Sequence, residues 1–164
     1  MIGHCIQPFD KEVEEMKEVS LTSFKTSSGA EFSDCRKYRY ALWRIWDDTK
    51  PLVMFIGLNP STANENDPDP TIKRVCAIAK NNGFGGIYMM NCFPYVTSYP
   101  EELCDFYETS FHEIEDLRNL RTLLNVAGKC QAIVFAWGNF KVAKQRAITL
   151  MDMFPIAKVL HINK

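Results

Sequence analysis

The chain has 164 residues, 46% of them hydrophobic, which is enough for one domain with a substantial core and too short for a second of ordinary size. A formal net charge of −1 provides no global field for a polyanion, which argues against a general DNA-coating protein and leaves any nucleic-acid contact to a local basic patch. The six cysteines, Cys5, Cys35, Cys76, Cys92, Cys104 and Cys130, stand singly with no His placed to complete a zinc or iron–sulfur site, so reduced core thiols are expected and no metal or other cofactor.

Met1-Ile2-Gly3-His4-Cys5 opens no apolar run and 10–18 is strongly charged, so neither signal peptide nor membrane anchor is read here and a cytoplasmic protein is expected. Residues 10–19 fit a short surface helix, and 22–33, rich in Ser, Thr and Gly, a turn or hairpin tip. Together 1–37 form an N-terminal extension packed on a domain of 38–164. The alternation over 38–46 predicts a half-buried strand, and Asp47-Asp48-Thr49-Lys50 a tight turn. So short a connection predicts that this strand pairs antiparallel with the next.

That next strand covers 52–57, an uncharged run of the kind buried on both faces of a sheet, and it ends in Gly57-Leu58-Asn59-Pro60-Ser61. Ligands of open α/β sheets sit beyond the carboxyl ends of strands, which makes Asn59 and Ser61 candidate site residues. Asp69 and Pro70 suit the cap and first position of a helix over 70–82, with Ile72, Val75, Cys76 and Ala79 on one face and Gly83 as its stop. A second uncharged strand over 87–92 places Asn91 at the same sheet edge as Asn59, through a right-handed parallel crossover.

After a loop over 93–100, the carboxylate-rich stretch 101–116 reads as a solvated surface, with His112 on it. Ile114, Leu117, Leu120, Leu124 and Ala127 mark the apolar face of a helix closed by Gly128. A third buried strand, 131–137, ends at Trp137-Gly138. Asn139 then caps a basic amphipathic helix with Lys141, Lys144 and Arg146, and 156–162 begins a fourth strand. The pattern predicts a three-layer α/β/α sandwich with a mostly parallel four-stranded central sheet and an N-terminal antiparallel hairpin strand. No dinucleotide fingerprint, phosphate loop or nucleophile elbow occurs.

The strand-end residues resemble those of the uracil-DNA glycosylase superfamily. Gly57-Leu58-Asn59-Pro60 is similar to the first active-site motif of the branch typified by mismatch-specific uracil and thymine glycosylases; Tyr88-Met89-Met90-Asn91 resembles the strand whose last Asn reads the flipped base. Ile133-Val134-Phe135-Ala136-Trp137-Gly138-Asn139-Phe140 resembles a third strand and helix start. A closer resemblance, over about 38–162, is to domain of unknown function family 1643, carried by Arg39-Tyr40-Ala41-Leu42-Trp43-Arg44, Leu58-Asn59-Pro60-Ser61-Thr62-Ala63, Asp69-Pro70-Thr71-Ile72-Lys73-Arg74, Asn91-Cys92-Phe93 and Trp137-Gly138.

These resemblances imply a glycosylase-like fold and the hydrolysis of an N-glycosidic bond of a damaged or modified base. Asn59 would hold the attacking water, and Leu58, Ser61, Asn91, Phe93, Trp137 and Gly138 would contact the base. Asn91 offers a donor and an acceptor to a base edge and Phe93 a stacking face, while Arg39, Arg44, Lys73 and Arg74 would reach phosphate of DNA or of a nucleotide. A carboxamide has no useful basicity, so any acceleration by Asn59 would come from positioning and electrostatics. Two departures stand out. Val96 occupies a place where relatives commonly carry Arg. Both groups also continue past the fourth strand into a His-Pro motif, whereas this sequence reads His161-Ile162-Asn163-Lys164; either the end is truncated or the segment is absent. The alternative function is a non-catalytic module binding a nucleotide, base or nucleic acid in the same pocket, and a third is an interaction domain that keeps the fold alone.

Overall fold

The computed structural model describes residues 27–61, 70–109, 112–138 and 141–160. The predicted helix over 10–19, the cap residues Asp69 and Asn139, and Cys5 lie outside them. Within them, six strands and four helices alternate in an α/β arrangement: β1 (Ser28–Phe32), β2 (Arg39–Ile45), β3 (Leu52–Gly57), α1 (Pro70–Asn81), β4 (Gly86–Asn91), α2 (Glu102–Thr109), α3 (Glu113–Ala127), β5 (Ala132–Phe135), α4 (Ala143–Met153) and β6 (Lys158–Val159). The sheet order is β1-β2-β4-β3-β5-β6; β4, β3, β5 and β6 pair in parallel, and β2 and β1 add antiparallel strands beyond β4.

Alternation along the central strands sorts their side chains into two cores. Val53 and Phe55 of β3 join Leu42, Ile87, Met89 and the inner face of α1, namely Ile72, Val75 and Ala79. Met54 and Ile56 point the other way, among Met90, Phe135, Leu123, Val126 and Leu150. Each of these large side chains stabilises by about 1.5–3 kcal/mol when fully buried, which is why an uncharged run such as Leu52–Gly57 takes the centre.

Three expectations are corrected. First, β2 does not pair with β3. It pairs antiparallel with β4, with Leu42 opposite Met89 and Ile45 opposite Gly86, because β4 inserts between the two after the α1 crossover. The connection 46–51 passes around the start of β4: the amides of Trp46 and Asp47 both donate to the Gly85 carbonyl at 2.9 Å, and the Gly85 amide donates to Pro51 O at 2.8 Å. Any Cβ on Gly85 would stand 1.9 Å from the Asp47 carbonyl oxygen, so only glycine lets the linker close here. Asp47 completes the turn; its bonds to Thr49, then its contact with Lys50, hold the carboxyl down at about 2.

Second, the described part of the Ser- and Gly-rich stretch is a strand over most of its length. Ser28–Phe32 pairs with β2, and the hairpin tip falls later, over 33–38, with Arg36 at φ 57°. Gly29 lies under the Trp43 ring, whose Nε1 donates to Ser27 Oγ at 3.3 Å, so the small residues make room for an aromatic neighbour. The sheet therefore has six strands in place of the expected four plus a hairpin strand. Third, α3 turns a different face inward. Ile114 is 81% exposed, and Leu117 and Leu124 are also exposed, while Asn119, Leu123 and Val126 are buried. What overrides the apolar spacing is a set of polar partners, described next.

Candidate functional site at the strand ends

Parallel pairing brings the carboxyl ends of β4, β3 and β5 to one edge. Gly57 is in register with Asn91, and Ile56 with Phe135. The ladder runs past the strands: the Cys92 amide donates to Gly57 O at 2.8 Å, the Phe93 amide to Leu58 O at 2.9 Å and the Ala136 amide to Ile56 O at 2.7 Å. Leu58, Asn59, Ser61, Asn91, Phe93, Trp137 and Gly138 thus share the strand-end edge.

The two asparagines are clamps in this structure. Asn59 Nδ2 donates to Thr97 O at 2.8 Å and to Pro60 O at 3.0 Å, joining the loop after β3 to the loop after β4; the Thr97 amide returns a bond to Pro60 O at 3.0 Å. Asn91 is fully buried, and in the amide orientation that satisfies its hydrogen bonds Nδ2 donates to Asn59 O at 3.2 Å and to Met90 O at 3.1 Å. Asn119 of α3 then donates to Asn91 O at 3.0 Å. Among the described residues the Asn119 Oδ1 accepts nothing. A carboxamide suits this work because it donates and accepts without charge, so it can be buried where a carboxylate would cost far more.

Phe93 is buried too, with Tyr107 of α2 at 4.7 Å between ring centroids and the guanidinium of Arg146 at 5.1 Å from its ring. Arg146 also bonds Asp116 of α3, whose other oxygen accepts Tyr107 Oη at 3.3 Å. Burial, then the Asp116 charge, pushes the Tyr107 hydroxyl up, so it remains a donor. Beside these, Tyr40 Oη donates to Glu115, with the Arg118 guanidinium 4.8 Å from the Tyr40 ring. Burial first and the Glu115 bond second raise the Tyr40 hydroxyl. The carboxylates Glu115 and Asp116, expected on a solvated surface, face this network. His112 is likewise not a surface residue: it is buried, with Nε2 donating to Phe106 O and Nδ1 accepting from Tyr38 Oη, each at 3.1 Å. A carbonyl can only accept, which fixes that tautomer.

The expected phosphate contacts divide. Arg39 sits at the strand-end edge, its amide donating to Pro94 O at 2.8 Å, but it is 2% exposed and no surface contact. Arg44 lies opposite Ile87 near the other edge and donates to Trp43 O at 2.8 Å. The structure does not bring Arg44 to Asn59. Lys73 and Arg74 are exposed near the start of α1. The Gly85 bond to Pro51 places the C-terminal end of α1 at the far edge, so its first turn is on the strand-end side. Trp137 and Gly138 line an open cleft of 350 Å³ with Ala143, Lys144, Ala147, Ile148 and Met151 of α4. The Trp137 ring rests on Phe135 at 4.3 Å, and Gly138 adopts φ 72°. Asp116, Tyr107, Asn119 and Arg146 were missed from sequence because they meet across three helices and form no local motif.

Among the described residues no helix is long and apolar enough to cross a membrane, and no group of three or more His, Cys, Asp or Glu could hold a metal ion. Of the five described cysteines, Cys92 is buried, Cys76 and Cys130 half-buried, and Cys35 and Cys104 exposed, so only part of the set is core. Comparison with curated proteins finds no match, and comparison with solved structures finds none either. The family model described as protein of unknown function (DUF1643) matches residues 39–163, the stretch that builds β2 to β6 and every strand-end residue above, and the chain belongs to that family.

Proposed function

We propose that this chain is a binding module for a nucleobase-bearing ligand, a nucleotide, a base or a nucleic-acid segment, held at the strand-end edge beside the cleft of Trp137, Gly138 and Lys144. The observation that carries the reading is the employment of Asn59 and Asn91. Both carboxamides tie loops together, and neither supplies a base to deprotonate water. An open apolar cleft with one cation on its wall suits a flat ring bearing polar groups. The second reading is hydrolysis of an N-glycosidic bond at the same edge, favoured by the position of Asn59 directly after β3. A glycosylase-like three-layer sandwich belongs to the same proposal, supported by apolar cores on both sheet faces. So does a cytoplasmic location, supported by five described thiols that form no disulfide.

The test is equilibrium binding and an abasic-site assay run in parallel, on nucleosides, nucleotides and single- and double-stranded oligonucleotides carrying uracil, a thymine mismatch or hypoxanthine. Saturable binding without base release, weakened by Lys144→Glu, is the expected result. Alkali-labile product that disappears in Asn59→Ala establishes the glycosylase reading instead. Neither binding nor product refutes both.

A further inference from the structure

The face that α3 turns away from the core is itself ordered. Ile114 is 81% exposed and Leu117 and Leu124 are about half exposed; with exposed Arg121 they stand at i, i+3, i+7 and i+10, the seam spacing of paired helices. At about 100° per residue these four make one outward stripe, opposite the Asn119, Leu123 and Val126 that face the core. A single exposed leucine is ordinary. An apolar stripe along most of a helix whose inner face is already occupied marks a contact surface.

Charge selects what covers it. Every carboxylate of α3, Glu113, Glu115 and Asp116, precedes its cations, Arg118 and Arg121, and no further acidic residue follows until Asp152. Tyr40 and Arg146 engage Glu115 and Asp116 on the inner side, which leaves exposed Glu113 as the acid beside the stripe and Arg121 as the cation within it. Two such helices laid parallel set like charges together. Laid antiparallel about a two-fold axis, they set Ile114 against the second copy's Leu124 and Leu117 against the alkyl stem of the second copy's Arg121, whose guanidinium then lies about one turn along the axis from Glu113. A helix that is acidic at its start and basic beyond it is thus complementary to its own reverse.

We infer that this stripe is a homodimer surface, on which α3 packs antiparallel against α3 of a second copy of this chain. The pairing is independent of the strand-end reading: it uses the outer face of α3, whereas Asp116 and Asn119 lie on the inner one, and no α3 residue lines the Trp137 cleft. Three apolar side chains on one helix fall short of the roughly 800 Å² per partner of a standard interface, so the pair forms reversibly and the dilute chain is a monomer. Substitutions on the stripe leave the fold of that monomer intact.

The test is sedimentation velocity of the full chain from about 10 µM to about 1 mM, a range that brackets weak association. Expected is a mass that rises with concentration from 18.9 kDa towards twice that value. A two-fold contact contains every pair twice, so Ile114→Ser is expected to weaken it on the order of thirtyfold. Glu113→Lys and Arg121→Glu each weaken it, and the two together restore it to within about threefold of wild type, because both signs are reversed. A mass that stays at the monomer value throughout overturns the inference and leaves the stripe to a partner of other chemistry. A dimer unaffected by Ile114→Ser has its interface elsewhere, which also overturns it, and failure of the double reversal to restore association overturns the antiparallel arrangement. The concentration series needs only wild type, so misfolding of a variant does not spare the proposal.

Discussion

Replacing Asp116 by Asn keeps the shape of the side chain and removes its charge, which isolates the ionic link between α3 and α4. Asp116 and Arg146 are each about a fifth exposed, at 21% and 23%, between the surface pairs worth about 0–1 kcal/mol and the buried pairs whose breaking costs about 3–5 kcal/mol. The Asn still accepts from Tyr107, so the expected loss is about 1.5–3 kcal/mol, roughly 3–10 °C in Tm for a domain of this size. Urea unfolding of Asp116→Asn, Arg146→Gln and the double variant measures the pairwise part. A coupling of about 1–2 kcal/mol is expected, because once either partner is gone the second removal leaves nothing further unpaired. A coupling below about 0.3 kcal/mol, within the range of independent sites, would falsify the claim that Asp116 holds Arg146 in place.

Four shorter expectations accompany it. Asn91→Leu strips two carbonyls of their donor inside the core and lowers stability by about 2–4 kcal/mol in urea unfolding, whereas a loss under about 0.5 kcal/mol contradicts the clamp. Leu117→Gln is expected within about 0.5 kcal/mol of wild type and Leu123→Gln beyond about 2 kcal/mol; thermal unfolding showing the reverse order overturns the face assigned to α3. Gly29→Val sets a Cβ 2.4 Å from the Trp43 ring, so it destabilises by about 1–3 kcal/mol and shifts the Trp43 fluorescence, and an unchanged spectrum refutes the contact. Among the thiols, the Ser33 bond holds Cys35 below the ordinary thiol value. Its thiolate therefore appears at lower pH than an unperturbed thiol's, and it is alkylated before Cys92 across pH 7–9; mass mapping that finds Cys92 labelled first sinks the assignment.

What could be read from the residues tracks how local the cause was. Leu52–Gly57 and Gly86–Asn91 are legible as buried strands because each is an uncharged run whose own side chains are covered on both faces of the sheet. The helix Pro70–Asn81 is legible because its face, start and stop are all nearby in sequence. Ser28–Phe32 is not, since its glycine is explained only by Trp43 on the adjoining strand. Nor is the inward face of α3: Ile114, Leu117 and Leu124 satisfy helical spacing, but Asp116 and Asn119 have partners on α4, α2 and β4 that outweigh it. The strand-end edge was legible through Asn59 and Asn91, while their role as loop clamps depends on Thr97 O and Asn59 O, backbone atoms that composition does not reveal.

The insertion of β4 between β2 and β3 has a consequence for how the chain acquires this shape. Adjacent segments in sequence, β2 and β3, share no ladder, so the hairpin of β1 and β2 has nowhere to dock until the more distant β4 is in place. Closing the loop through α1 must come before that docking, and the entropy of that closure falls on the early part of the route. The β1–β2 hairpin is then a late flap on a parallel centre, joined through β4, through a linker gripped at Gly85, and at its tip through the bonds of Tyr38, Arg39 and Tyr40 to His112, Pro94 and Glu115. Native openings of the sheet should therefore begin at this flap, exposing the edge of β4 while the β3–β5 pairing persists.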